Sequence, residues 1–109
     1  MKIDFSKIDE NKFVNFNGGN GSVDLKKTEY KGVTVIKGRV KKGCSVGLHA
    51  HTVDSETIYI LSGTAKSICD GEMEILRSGD VSICPKGYSH CLINDYDEEL
   101  VFFAIVPKQ

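Results

Sequence analysis

The sequence has little net charge, no long apolar run and no closely paired cysteines, and each absence excludes a class of protein. Its 14 lysines and arginines nearly balance 15 aspartates and glutamates, for a net charge of -1. Neither nucleic acid nor a membrane surface is therefore expected as a partner. No stretch approaches the ~18 apolar residues of a membrane span, and residues 1–13 lack the apolar core of a secretion signal. We expect a cytoplasmic protein of one domain.

The four cysteines form no Cys-x-x-Cys pair, so the spacing typical of zinc sites and redox-active pairs is missing. A cytoplasmic chain keeps its thiols reduced, and we expect buried, free cysteines that act as small apolar side chains. Cys84 precedes a proline and Cys91 follows a histidine. These two are expected nearest to a functional site, and a redox role stays open for both.

Helical periodicity is also absent, and short β-type segments fill the chain from Val23 onwards. Runs of β-branched and aromatic residues alternate with turn residues at a spacing of about 8–12 residues. Asp70-Gly71 predicts a two-residue hairpin. The predicted strands are 22–30, 33–41, 44–52, 56–62, 64–69, 72–76, 80–84, 89–94 and 100–106. Such a series predicts an all-β fold, namely a sandwich, a jelly roll or a barrel.

The first 21 residues differ in pattern, and we assign them as an N-terminal segment that precedes a β domain of residues 22–109. Apolar and charged residues are mixed in 1–16, and Asn-Gly-Gly-Asn-Gly follows at 17–21. The segment predicts a short strand or turn and then a loop. It is expected to pack on the outside of the domain or on a partner subunit.

Histidine is scarce, and its placement is the most informative feature of the sequence. All three histidines lie in two stretches, 43–63 and 79–94. His49 and His51 share one face of a strand because strand side chains repeat every second position. An Asp-Ser turn can bring the Glu56 carboxylate to the same side, and His90 follows a turn at 85–87. Imidazoles with a carboxylate suit a divalent transition metal better than Ca²⁺ or Mg²⁺.

The two stretches resemble the paired motifs of the cupin family. The fixed positions of the first motif, G-x5-H-x-H-x4-E-x6-G, are met by Gly43, His49, His51, Glu56 and Gly63. Those of the second, G-x5-P-x-G-x2-H-x3-N, are met by Gly79, Pro85, Gly87, His90 and Asn94. Residues 64–78 separate the motifs, which is the short interval of small microbial cupins. The chain looks like a small single-domain cupin.

The resemblance implies a double-stranded β-helix, or jelly-roll barrel, with one divalent transition metal ion in its mouth. The implied metal ligands are His49, His51, Glu56 and His90, and the family uses iron, manganese, nickel, zinc or copper there. Such a ligand set leaves coordination positions open for water or a substrate oxygen. No other residue presents itself as a general base. Glu56 is therefore a candidate for a second, catalytic role as a proton acceptor.

Other positions are assigned from strand parity and residue type. Ile58 and Ile60 share the parity of Glu56, and Leu92 shares that of His90, so all three are expected to face inward. Asn94 is expected to form the turn that follows its strand. Solvent-facing positions are expected for the arginines, Arg39 and Arg77, and for the lysines, Lys26, Lys27, Lys31, Lys37, Lys41 and Lys42.

Three functions stay open at this stage. The first, which the sequence favours, is a metal-dependent enzyme, an oxygenase, isomerase, lyase or decarboxylase, that acts on a small oxygen-rich substrate. The second is a non-catalytic protein that binds a small ligand such as a sugar or an organic acid. The third is a structural module with a vestigial site, against which the complete ligand set argues. A homodimer is predicted, because small cupins usually pair through their sheets and the apolar residues of 1–16 and 100–106 exceed the needs of half-exposed strands. A buried core strand in a monomer explains the run 100–106 equally well.

Overall fold

The computed structural model describes residues 1–109 as ten β-strands and two 3₁₀ turns. The turns are Phe5–Lys7 and Phe16–Gly18. The strands are β1 (Asn11–Val14), β2 (Ser22–Tyr30), β3 (Val33–Val40), β4 (Ser45–Ala50), β5 (Glu56–Ser62), β6 (Thr64–Cys69), β7 (Glu72–Arg77), β8 (Val81–Cys84), β9 (Ser89–Ile93) and β10 (Leu100–Pro107). None of its helical segments has the length and apolar character that crossing a bilayer requires.

The strands form two antiparallel sheets that pack face to face. The six-stranded sheet has the order β1-β2-β3-β10-β5-β8, and the four-stranded sheet has the order β4-β9-β6-β7. One core cluster of 12 buried residues joins them, with Val23 and Leu25 from the first sheet and Ala65 and Leu92 from the second. This two-sheet arrangement confirms the predicted all-β jelly roll.

Every strand predicted from the sequence is present, with ends displaced by two residues at most. At the predicted hairpin Asp70 and Gly71 both have positive φ, 46° and 81°, as the tightest hairpin turn requires. The additional strand, β1, lies in the segment that was predicted as a strand or a turn, and it pairs with β2. The division of the chain at residue 21 stays a prediction.

On the inner face of the six-stranded sheet, residues that are paired across β2, β3, β10 and β5 form rows. The deep row consists of Leu25, Gly38, Phe102 and Ile60. Phe102 is buried in the core, and only a glycine at 38 leaves room for its ring, because a Cβ there would overlap ring atoms. The middle row consists of Lys27, Ile36, Ala104 and Ile58. This row lies one step nearer to the open end.

The N-terminal segment packs against the same domain, on β4. Residues 16–19 approach β4 closely, because a Cβ on either Gly19 or Gly47 would overlap the opposite backbone. Asn20 and Ser45 exchange hydrogen bonds: the Ser45 N–H donates to the Asn20 carbonyl, and the Asn20 N–H donates to the Ser45 hydroxyl, both at 2.9 Å. These contacts place the second 3₁₀ turn at the open end of the fold.

Asn94 holds the turn between β9 and β10 and is fully buried. Its amide donates to the carbonyls of Val40 and Glu98 at 2.8 and 2.9 Å, and its side-chain oxygen accepts from the Tyr96 N–H at 2.9 Å. Asn94 thus forms the predicted turn, and its hydrogen bond to Val40 also connects this turn to β3. Arg39 is solvent-facing as expected and pairs with Glu10 and Glu99.

Candidate metal centre

The structure brings together the four side chains that the sequence nominates as metal ligands. We call them the His-Glu cluster: His49, His51, Glu56 and His90. One donor atom from each lies within 4.8 Å of all the others. Oε1 of Glu56 is 2.9 Å from Nε2 of His90, 3.2 Å from that of His51 and 3.8 Å from that of His49. His49 and His90 are direct partners on β4 and β9.

Glu56 reaches the histidines from the opposite sheet. β4, which ends at Ala50, belongs to the four-stranded sheet, whereas β5, which begins at Glu56, belongs to the six-stranded one. The segment between them crosses from one sheet to the other, and Asp54 in it forms an isolated bridge with Lys108. The two sheets face each other, and Glu56 lies on the inward face of β5 together with Ile58 and Ile60, so its carboxylate points at the imidazoles. The turn predicted to reset strand parity is in fact a change of sheet.

Two of the histidines have their second ring nitrogen bound to a protein oxygen. Nδ1 of His49 donates to the Gly47 carbonyl at 2.8 Å, and Nδ1 of His51 donates to the Asp54 carboxylate at 2.6 Å. A proton held on Nδ1 leaves the Nε2 lone pair directed into the cluster. The sequence suggested Asp54 only as a turn residue, and no motif position marks it as a partner of His51.

The donor set fits a transition metal ion. Nε2 of His51 lies 3.0 Å from Nε2 of His90 and 3.2 Å from the Glu56 carboxylate. Lone pairs and a carboxylate directed at one another repel unless positive charge lies between them, either a metal ion or, without the metal, protons carried on Nε2 that the carboxylate accepts as hydrogen bonds. Three imidazole nitrogens and one carboxylate oxygen are ligands that transition metals accept, and the set leaves coordination positions free.

The cluster is buried and its carboxylate is ionised. Glu56 and His51 are only 8% and 7% exposed. Burial by itself would raise the pKa of Glu56, but hydrogen bonds from the three histidines outweigh it and hold this pKa well below its ordinary value. The pKa of His51 is raised, first by its hydrogen bond to Glu56 and then, against the effect of burial, by Asp54.

A cavity of about 250 Å³ opens above the cluster, slightly below the roughly 300–1,000 Å³ of pockets for drug-sized ligands. Its apolar walls include Leu25, Ile36, Ile58, Leu92 and Phe102. Its polar lining outside the cluster consists of Asn17, Lys27, Thr34 and Asp54, with the Cys91 thiol beside them. The inward orientation of Ile58, Ile60 and Leu92 is confirmed. Ile58 and Leu92 line the cavity, and Ile60 lies deeper, in the core.

The cysteines are all free, and the two expected near the site are both close to it. Cys91 lines the cavity, and Cys84 is the strand partner of Glu56. Burial, with Cys69 as a further cause, raises the pKa of the Cys84 thiol to about 12. A thiol with such a pKa is a poor nucleophile at neutral pH, so Cys84 acts as a small apolar side chain.

Comparison with known proteins agrees with the fold and the site. Residues 36–106 match the family model described as cupin domain, and the chain therefore belongs to the cupin family. It is 30% identical to an oxalate-binding protein of Thermotoga maritima over 97% of this chain and 93% of the relative.

Two solved structures extend the comparison. A crystal structure of a predicted oxalate decarboxylase from T. maritima superposes with a TM-score of 0.92 at 28% identity, over 100% of both chains. A sugar phosphate isomerase of Silicibacter pomeroyi superposes with a TM-score of 0.82 at 18% identity, over 100% of this chain and 76% of that one. The second likeness shows the fold alone.

Proposed function

We propose that this cupin holds one divalent transition metal ion in the His-Glu cluster and uses it to bind a small carboxylate ligand of the oxalate class in the cavity. The observation that carries the proposal is the convergence of four donor atoms within 4.8 Å, with Nδ1 of His49 and His51 already bound to protein oxygens. When bound, the metal supplies a Lewis acid with open coordination positions. The ligand would occupy these positions through its oxygen atoms.

The chain's own residues have distinct parts in this function. His49, His51 and His90 would hold the ion through Nε2, and Glu56 would add one negative charge that partly neutralises it. Asp54 fixes the ring orientation of His51 through the 2.6 Å hydrogen bond. The apolar walls exclude water from the ligand, which strengthens its electrostatic attraction to the ion.

A carboxylate ligand is supported by the relative named as an oxalate-binding protein, with which this chain shares 30% identity. It is also supported by the charge of the site. A divalent ion with the single carboxylate of Glu56 retains a positive charge, and a carboxylate compensates this charge better than a neutral ligand does. A sugar remains the weaker alternative, because the cavity has few polar side chains outside the cluster.

A metal-dependent enzyme that acts on the same ligand is the second candidate. The observation that favours it is Glu56, an ionised and nearly buried carboxylate within 2.9 Å of an imidazole nitrogen and next to the cavity. In this candidate Glu56 would be both metal ligand and proton acceptor. The other carboxylate of the lining, Asp54, is hydrogen-bonded to His51. No carboxylate is therefore left to act as a separate general base, and for this reason we place binding before catalysis.

Elemental analysis and calorimetry test the proposal together. We expect about one equivalent of metal in the wild type and almost none in the His49→Ala/His90→Ala variant. Oxalate titrated into the loaded protein is expected to bind, and a chelator is expected to abolish this binding. Two carboxylate variants are compared in the same way. Glu56→Gln alters the His-Glu cluster, and Glu74→Gln, which removes an exposed carboxylate on β7, is its control. A wild type that takes up no metal even after reconstitution would contradict the proposal.

The same samples separate the two candidates. Oxalate that binds and is recovered unchanged supports a binding protein. Loss of oxalate that stops with chelator supports the enzyme, and Glu56→Gln then tests the double role. If this variant retained both metal and turnover, Glu56 would not be the proton acceptor.

We further infer a homodimer. The outward face of the six-stranded sheet carries adjacent exposed apolar side chains on β5, β8 and β10, namely Tyr59, Val81, Ile83 and Ile105. An apolar patch of this kind is typical of an interaction surface. The cytoplasm remains the predicted location.

A further inference from the structure

Lys27 is the one cavity-lining residue with a permanent positive charge. The lining contains no other lysine and no arginine. The alternation of β2 explains its direction, since Val23 and Leu25 on the same face are buried in the core. Lys27 is exposed, as the sequence suggested, but it continues this inner face to the entrance of the cavity and does not belong to an outer solvated face.

The position of Lys27 relative to the His-Glu cluster follows from strand register. Lys27 begins the middle row and Ile58, two residues from Glu56, ends it. Three strand spacings of about 4.8 Å separate these ends, roughly 14 Å along the sheet. Between them lie Ile36 and Ala104, so the surface that joins the lysine to the metal end is apolar.

The ammonium group of Lys27 has no anionic partner within the protein. Lys42 and Lys66 form ion pairs with Asp97 and Asp95 at 2.6 and 3.2 Å, and Lys26 donates to the Phe5 carbonyl. Lys27 forms neither kind of contact. Glu29, the next residue on its face of β2, does not line the cavity, whereas the hydroxyl-bearing Thr34 on β3 does. A cation and a hydroxyl are therefore both free at the entrance.

We propose that Lys27, assisted by Thr34, binds the distal carboxylate of a diacid whose other end occupies the metal centre. The site then has three parts, a metal for the proximal carboxylate and a neighbouring oxygen, an apolar floor for a short methylene chain, and a cation for the far end. The matching ligand class is a 2-hydroxy or 2-oxo diacid longer than oxalate. This inference rests on the proposed function.

Oxalate itself would not use Lys27. Both of its carboxylates are adjacent and would be taken up at the metal, far from the entrance. The long Lys27 side chain can reach back along the apolar floor, so a longer diacid has to bridge only the remaining distance and adds an ion pair at the lysine. Because Lys27 is exposed, we expect a modest gain, about fivefold in affinity, that decreases with added salt.

The test compares diacids with monoacids of the same chain length. Malate and 2-hydroxyglutarate are titrated into the metal-loaded protein beside 2-hydroxybutyrate and 2-hydroxyvalerate, which lack the distal carboxylate, and oxalate is the reference. We expect about fivefold tighter binding of each diacid than of its monoacid in the wild type. Lys27→Met is expected to abolish this preference while it leaves metal content and oxalate affinity unchanged. Lys12→Met, the same charge change at an exposed position on β1, is expected to retain the preference.

The outcomes separate the two levels of inference. A diacid preference that survives in Lys27→Met would overturn the role of the lysine, as would a wild type that binds oxalate and shows no preference. A loaded protein that binds neither oxalate nor any of the four acids would overturn the proposed function and the diacid site with it. Lys27→Glu provides a second variant, in which we expect diacids to bind more weakly than monoacids.

Discussion

The Asp54 carboxylate accepts a hydrogen bond of 2.6 Å from Nδ1 of His51, across the segment that carries the chain from one sheet to the other. The bond selects the tautomer of His51 that offers Nε2 to the cluster. We therefore expect Asp54→Ala to weaken metal affinity by roughly 10- to 100-fold. Competition with a chelator of known affinity measures this loss.

Asp97→Ala is the control for Asp54, because Asp97 is exposed and pairs only with Lys42. We expect it to leave metal affinity unchanged. Asp54→Asn, which keeps an oxygen acceptor without the charge, is expected to fall between the wild type and the alanine variant. Equal affinity in Asp54→Ala and the wild type would show that Asp54 does not orient the ligand.

Gly38 and Phe102 pack against each other in the deep row, and we expect Gly38→Ala to destabilise the fold by about 1–3 kcal/mol through overpacking. A Cβ at position 38 would overlap ring atoms of Phe102. Phe102→Leu removes those atoms, so the double variant is expected to lose less stability than the sum of the single losses. Urea unfolding measures all of the variants, and additive losses would contradict the steric explanation.

The Asn94 side chain makes three hydrogen bonds, two within the turn after β9 and one that links this turn to β3. Asn94→Ala leaves a buried carbonyl on Val40 without its donor, and we expect a loss of roughly 2–4 kcal/mol in the free energy of unfolding. The folded fraction is expected to retain its metal, because Asn94 is not in the cluster. Metal loss at unchanged stability would indicate that Asn94 supports the metal centre.

The apolar patch on β5, β8 and β10 makes the oligomeric state testable. Light scattering after size exclusion is expected to give a dimer for the wild type, with a protomer of 12.0 kDa. Ile83→Lys places a charge in the patch, where Ile83 is 61% exposed, and is expected to give a monomer. Met73→Lys alters an exposed residue of the other sheet and is expected to leave a dimer. A monomeric wild type would refute the prediction.

Local sequence patterns were sufficient to predict the strands and to nominate the members of the candidate site. β2, β5 and β6 have the predicted bounds, because alternation of side chains and positive-φ turn residues are properties of neighbours in the chain. The His-Glu cluster follows from two short motifs and from the scarcity of histidine. Residue type and spacing nominated these four side chains, and the resemblance to the cupin motifs implied that they act as one set, without any knowledge of long-range pairing.

Only the tertiary structure decided what surrounds that donor set. Glu56 faces the histidines because β4 and β5 lie in opposite sheets, and the role of Asp54 depends on the path of the segment between them. The direction of Lys27 into the cavity depends on how β2 pairs with β3 and which face of that sheet is covered. The position of residues 16–19 on β4 depends on a close backbone contact between distant glycines. These are properties of packing between residues far apart in the chain, and such contacts leave no periodic signal in the sequence.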